Sequence, residues 1–116
     1  MSTLSTHVLD TMHGIPAAGL AITLAGPEGE IARGLTNADG RAPGLAPADL
    51  APGRYSLTFA VAAYFRAKGV TLPEPPFLDE VRLDFGIAPA KDNGQGGHYH
   101  VPLLVSPYAY STYRGS

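Results

Sequence analysis

A chain of 116 residues, 45% of them hydrophobic, is sized for one domain with a buried core, and having no cysteine it lacks a disulfide frame, a thiolate metal site and a cysteine nucleophile. Charged residues make up only 16%, against roughly a quarter in an average domain, and a net charge of −2 with no basic cluster excludes the electrostatic footprint of a nucleic-acid binder. The apolar runs are too short for a membrane helix, and Met1-Ser2-Thr3-Leu4-Ser5-Thr6-His7 has neither the basic start nor the apolar stretch of an export signal, so the expectation is a cytoplasmic protein that is a single domain over residues 1–116.

Along the chain, short alternating runs are separated by glycine and proline. Thr6-His7-Val8-Leu9-Asp10 reads as a first strand, closed by the turn His13-Gly14-Ile15-Pro16. Leu20, Ile22 and Leu24 alternate with Ala21 and Thr23, and the strand ends at Gly26-Pro27-Glu28-Gly29. Asn37-Ala38-Asp39-Gly40 is a strand-to-strand turn leading into Arg41, and Ala51-Pro52-Gly53 is another. Tyr55, Leu57, Phe59 and Val61 then share one strand face. Ala62-Ala63-Tyr64-Phe65-Arg66-Ala67-Lys68 breaks the pattern; it is rich in helix formers and is followed by Gly69, which predicts one short helix with a glycine C-cap. Leu72-Pro73-Glu74-Pro75-Pro76 is a loop. Val81, Leu83, Phe85 and Ile87 mark a further strand, and Asp92-Asn93-Gly94 a turn. Tyr99, Val101, Leu103 and Val105 share the inward face of another, with a last strand over Ala109 to Tyr113. This punctuation predicts an all-β fold, a two-sheet sandwich with one short helix.

The face opposite Tyr99 carries His98, His100, Pro102, Leu104 and Ser106, where a solvated strand would carry Lys, Glu or Thr. Two adjacent uncharged faces predict burial against another subunit, and two histidines there predict that the interface also holds a site. His98 and His100 stand two apart and therefore on one face. An H-x-H pair is a weak metal signal, and catalysis or packing ranks above metal binding here. His7 reads either as a functional group or as a half-buried histidine satisfied by backbone. His13 reads as an exposed turn residue. Taken by spacing alone, Arg41 is a solvated turn arginine. The tail Tyr113-Arg114-Gly115-Ser116 continues an aromatic strand, unlike an ordinary polar, frayed end, and is expected to be packed.

Two long segments carry a family likeness. His7-Val8-Leu9-Asp10-Thr11-Met12-His13-Gly14-Ile15-Pro16-Ala17 and Tyr99-His100-Val101-Pro102-Leu103-Leu104-Val105-Ser106-Pro107-Tyr108-Ala109-Tyr110-Ser111-Thr112-Tyr113 resemble the N- and C-terminal signatures of the transthyretin-like family, and Thr36-Asn37-Ala38-Asp39-Gly40-Arg41 and Pro52-Gly53-Arg54-Tyr55 match its pattern between them. The resemblance covers essentially the whole chain. The family divides into thyroid-hormone carriers and hydrolases of 5-hydroxyisourate, and the hydrolase set is present: histidine at His7, arginine at Arg41, histidine at His100 before Val-Pro-Leu-Leu, and a Tyr-Arg-Gly-Ser end at Tyr113 to Ser116. Departures are Ala109, where Gly or Ser is usual, and the Pro-rich stretch Leu72 to Phe77, where a more aromatic one is usual.

The resemblance implies hydrolytic opening of 5-hydroxyisourate, the product of urate oxidation, to 2-oxo-4-hydroxy-4-carboxy-5-ureidoimidazoline. It implies a transthyretin-like sandwich assembled as a homotetramer, a dimer of dimers with sites at the dimer–dimer interface, a small-molecule substrate, and no metal or organic cofactor. The implied catalytic set is His7, Arg41, His100 and Ser116, with Ser116 closing the pocket rather than acting as a covalent nucleophile. The implied substrate-binding set is His7, Arg41, His98, Tyr113, Arg114 and Gly115. The alternative from another class is a carrier of a small aromatic ligand in the same channel. A structural β-sandwich module is a third reading, usual within longer extracellular chains.

Overall fold

The computed structural model describes residues 2–89 and 97–115. The expected turn Asp92-Asn93-Gly94 lies outside them. Two four-stranded sheets face each other. One has the order β2-β1-β7-β8, from β1 (Thr3–Asp10), β2 (Ile15–Pro16), β7 (His98–Val105) and β8 (Tyr110–Thr112). The other has the order β4-β3-β5-β6, from β3 (Ala21–Gly26), β4 (Gly29–Leu35), β5 (Gly53–Phe59) and β6 (Val81–Ile87). Helix α1 (Val61–Ala67) follows β5. Among the described residues no helix is long and apolar enough to cross a membrane.

The alternating residues make the core. Ile22, Leu24, Leu57, Phe59 and Val81 from one sheet meet Val8, Leu103 and Val105 from the other, all buried in one cluster. Each fully buried Leu, Ile, Val or Phe side chain contributes about 1.5–3 kcal/mol over leaving it exposed, so the period-two pattern decides which strand face turns inward. β4 escaped that pattern. Its sequence Gly-Glu-Ile-Ala-Arg-Gly-Leu is exposed or half-exposed along its whole length, with Leu35 66% exposed. It is an edge strand held by pairing to β3, and pairing without a buried face leaves no alternation to read. β2 is too short to carry a pattern at all.

The helix occupies the expected segment, shifted by one residue. Its end is closed as Gly69 predicts: the amide of Gly69 donates to Arg66 O at 3.0 Å and that of Val70 to Phe65 O at 3.0 Å, the paired bonds of a Schellman motif. Val61, Ala62, Tyr64 and Phe65 are buried.

His13 is an exposed turn residue, as expected, and it is also the partner of a buried carboxylate. Asp10 ends β1 pointing into the core, where its Oδ2 takes His13 Nδ1 at 2.6 Å and the Tyr64 hydroxyl at 2.8 Å, and its Oδ1 takes the His13 amide at 2.9 Å. Burial alone would raise the Asp10 carboxyl, but the bonds from the His13 side chain and backbone and from Tyr64 outweigh it and hold the group below the usual aspartate value. Burial, and after it the same contact, pushes the Tyr64 hydroxyl well up. A depressed folded pKa gives stability that is complete above the unfolded value and is lost as pH falls through the folded one. Tyr64→Phe, which deletes one hydrogen bond to a charged group, is expected to cost about 1.5–3 kcal/mol. Because the bond it removes is one that lowers the Asp10 pKa, acid unfolding followed by circular dichroism should begin at higher pH in the variant than in the unsubstituted chain.

Candidate active site

β1 alternates. Leu4, Thr6, Val8 and Asp10 turn inward and Thr3, Ser5, His7 and Leu9 outward. β7 runs parallel beside it, although 95 residues separate the partners Ser5 and His100. Distant segments need no hairpin between them and so are free to pair in parallel. The register sets Thr3 beside His98, Ser5 beside His100 and His7 beside Pro102. Facing pairs share a sheet face, so His7, His98 and His100 lie on one outward surface.

The turn after β4 delivers Arg41 to that surface. Asn37 Oδ1 accepts from the amides of Asp39 at 2.9 Å and Arg41 at 3.1 Å, and the Asn37 amide donates to Arg41 O at 2.7 Å. Gly40, at φ +76°, lets the turn lie against β1, and its carbonyl accepts from the Val8 amide at 2.8 Å. An isolated bridge then pairs Arg41 with His7. Among the described residues the exposed Arg41 side chain forms no ion pair, so its cation is available to a ligand. Arg41 is solvent-exposed, as its spacing implies, and the bridge sets its backbone beside His7.

The two histidines are set differently. His7 Nε2 lies 2.8 Å from Asp39 O. A carbonyl only accepts, so Nε2 donates there, and in the neutral imidazole the lone pair is on Nδ1. His100 is half-buried, and its Nδ1 meets the Ser5 hydroxyl at 2.8 Å, leaving Nε2 as the nitrogen that Ser5 does not engage. Burial, and after it the charges of Arg41, His7 and His98, hold His100 below the usual histidine pKa. It is therefore neutral near pH 7 and able to accept a proton. The pair His98 and His100 converges on Ser5: His98 Nε2 sits 2.9 Å from the Ser5 hydroxyl and His98 Nδ1 2.6 Å from that of Thr3. Among the described residues no third His, Cys, Asp or Glu joins them as a ligand set. Ser5 was missed in the sequence. Its position two residues before His7 was the available signal, but its importance depends on a β1–β7 register that spacing does not supply.

The tail is not packed as expected: Tyr113 and Arg114 are exposed, and the chain is tied down at Gly115. Its amide donates to His100 O at 2.7 Å in a second isolated bridge. A Cβ there would lie 2.5 Å from His100 Cδ2 and 3.1 Å from Cγ. The Arg114 guanidinium is stacked 4.1 Å over the Tyr99 ring. Tyr99 alternates with His98 and His100, so this places the Arg114 guanidinium on the side of the strand opposite the histidine rings, where it donates to the His98 carbonyl oxygen at 3.4 Å. Tyr113 is 60% exposed and lines, with Tyr99 and Arg114, a cavity of about 360 Å³ between β6 and the β7–β8 edge. Ser116 lies outside the described residues. The structure thus brings together His7, Arg41, His98, His100 and Gly115; within one chain Tyr113 stays apart from them, and Arg114 reaches only the His98 backbone carbonyl. A second concavity, of about 770 Å³, surrounds Arg54, Ser56 and Arg82 and also lies away from the histidines. The histidine-bearing face is open in the single chain, and its enclosure requires another surface.

Gly115 sets up a direct test. Gly115→Ala must push the tail off the His100 ring or rotate the ring, and a misplacement of about 1 Å in such a group costs up to about 10²-fold in rate. Activity is expected to fall by that order while melting temperature and circular dichroism stay near those of the unsubstituted chain. Unchanged kcat/KM in this variant would detach the tail from the site.

The family model described as HIUase/Transthyretin family matches residues 4–115. Over 122 aligned residues the chain is 56% identical to a 5-hydroxyisourate hydrolase of Pseudomonas aeruginosa, covering 100% of this chain and 93% of that one. It superposes on the structure of Klebsiella pneumoniae 5-hydroxyisourate hydrolase with a TM-score of 0.84 at 39% identity, covering 100% of both chains. It also superposes on an (S)-allantoin synthase with a TM-score of 0.87 at 44% identity, covering 99% of this chain but only 44% of that longer one.

Proposed function

We propose that this chain, which belongs to the HIUase/transthyretin family, carries out its hydrolysis with His7, Arg41 and His100 acting on one bound ring. The chain hydrolyses 5-hydroxyisourate, adding water across a ring C–N bond to give 2-oxo-4-hydroxy-4-carboxy-5-ureidoimidazoline. The observation that carries the assignment of residues is the convergence of two histidines with opposite free nitrogens and one uncommitted cation on a single sheet face.

Water addition needs a proton acceptor, a stabiliser for the oxyanion and a proton for the departing nitrogen. His100, kept neutral by burial and neighbouring charge, takes the proton from water through Nε2. The C–O bond forms and negative charge moves onto the former carbonyl oxygen, where the Arg41 guanidinium meets it. Collapse breaks the C–N bond, and the nitrogen takes a proton from the imidazole that received one. His7, its Nδ1 lone pair fixed by the bond to Asp39, orients water or substrate. Gly115 and Ser116 are assigned to the pocket wall, Tyr113 only across the subunit contact, and Arg114 anchors the tail by stacking on Tyr99. No metal or organic cofactor is part of this scheme.

Enclosure comes from assembly. We assign a homotetramer with sites at the dimer–dimer interface, supported by the open histidine face and by the exposed aromatics Tyr108, Tyr110 and Tyr113 near the β8 edge. Light scattering that finds an active monomer would sink this arrangement. We place the reaction in the cytoplasm, which the cysteine-free composition supports. The primary experiment follows the ultraviolet decay of freshly made 5-hydroxyisourate with and without the protein. Acceleration over the spontaneous decay is expected; its absence would return the chain to the carrier reading.

A further inference from the structure

His98 and its two hydroxyl neighbours are not used by the scheme above. Three contacts run in series: Thr3 Oγ1 to His98 Nδ1 at 2.6 Å, His98 Nε2 to Ser5 Oγ at 2.9 Å, and Ser5 Oγ to His100 Nδ1 at 2.8 Å. The series begins at a half-buried imidazole and ends at two exposed residues, His98 and Thr3. Every link joins a group that both donates and accepts to another of the same kind. A neutral imidazole has one N–H and one lone pair, and a hydroxyl has one proton. When Ser5 uses its proton toward one imidazole, it accepts from the other, so the tautomers of His98 and His100 are tied together.

We propose that Ser5, His98 and Thr3 form a proton relay that resets His100 between base and acid, with Ser5 and His98 as positioning residues. This rests on the reading of His100 as the group that takes the proton from water. In the first state His100 carries its proton on Nδ1 and donates to Ser5, Ser5 donates to His98 Nε2, and His98 Nδ1–H donates to Thr3. His100 Nε2 is then a free lone pair. When water attacks, its proton bonds to Nε2, the Nδ1 proton passes to Ser5, the Ser5 proton to His98 Nε2, the His98 Nδ1 proton to Thr3, and the Thr3 proton to solvent. One proton enters and one leaves, and no ring is left charged. His100 now carries Nε2–H, the donor required by the departing nitrogen. Its transfer draws a solvent proton back along the chain and restores the first state. The relay thus spares the site an imidazolium beside Arg41, which repels it.

The test compares Ser5→Ala, Ser5→Thr, His98→Gln and His100→Ala in the assembled protein, each checked by circular dichroism. Glutamine at position 98 keeps a polar contact to Ser5 but does not pass protons between two nitrogens. Ser5→Ala and His98→Gln are expected to lower kcat by about 10²-fold, the lower end of what a proton-transfer group contributes, at unchanged KM, and Ser5→Thr to retain the activity that Ser5→Ala loses. In mixtures of light and heavy water, the dependence of kcat on deuterium fraction should be curved in the unsubstituted protein, reporting several protons in flight, and linear in Ser5→Ala. A His98→Gln variant with unchanged kcat and a curved dependence overturns the relay while leaving His100 as the base. An active His100→Ala overturns the underlying reading itself.

Discussion

Arg41→Ala should lower kcat/KM by about 10²–10³-fold, about 2.7–4 kcal/mol of transition-state stabilisation, as loss of one oxyanion donor does. His7→Ala and His100→Ala should each cost roughly 10²–10⁴-fold, the range for a positioned proton-transfer group. The double variant of His7 and His100 should cost less than the product of the singles, because both act on one step. All three singles should fold, since none of the three side chains belongs to the core cluster. A variant that is folded and fully active would remove its residue from the mechanism. The pH profile gives a sharper check. Burial and the charges of Arg41, His7 and His98 depress His100, so kcat/KM should hold its plateau below the pH at which an ordinary histidine protonates. Arg41→Ala deletes one of those charges, the His100 pKa rises, and the residual activity should begin to fall at a higher pH than in the unsubstituted protein. An acid limb unmoved by Arg41→Ala would mean that a group other than His100 sets it.

The strands that feed the core were legible because burial imposes a period on them: Leu57 and Phe59, Val81 and Leu83, Val101 and Leu103 are inward in the sequence and inward in the fold. The edge strand β4 was not, because hydrogen bonding to β3 makes no demand on its side chains. The site was legible by type but not by arrangement. The resemblance named His7, Arg41 and His100, yet nothing local puts Arg41 beside His7 or Ser5 beside His100. Those neighbours come from a bridge between β1 and the turn after β4 and from a parallel register between opposite ends of the chain. Arg114 shows the reverse case. The motif names it with the tail, and its guanidinium lies over Tyr99 and donates to the His98 carbonyl, not to the histidine rings. His13, read from its turn as an exposed residue, is exposed, and it is also held by Asp10 three residues earlier, a contact made within the turn itself.

Gly40→Ala should damage stability and activity together, and the reason lies in where the turn is pressed. Gly40 has φ +76°, which for alanine costs about 1–2 kcal/mol in the left-handed region. Gly19, at φ +77° and with nothing within 4 Å of its Cβ direction, carries that cost alone. At Gly40 the added carbon would also run into the Val8 carbonyl oxygen, and would approach Pro16 Cβ to 3.2 Å and the Ala17 amide to 3.3 Å. Those obstacles are backbone and a proline ring, so they do not swing aside as a long side chain would. The turn has to lift, which stretches the bond from the Val8 amide to Gly40 O and separates Arg41 from His7. Gly19→Ala should therefore lower thermal stability by the strain term alone and leave kcat/KM unchanged. Gly40→Ala should melt at a lower temperature than Gly19→Ala and, where still folded, lose activity on the scale of Arg41→Ala, because the guanidinium is present but displaced. Equal activity in the two alanine variants would show that the position of Arg41 is set by something other than the contact of this turn with β1.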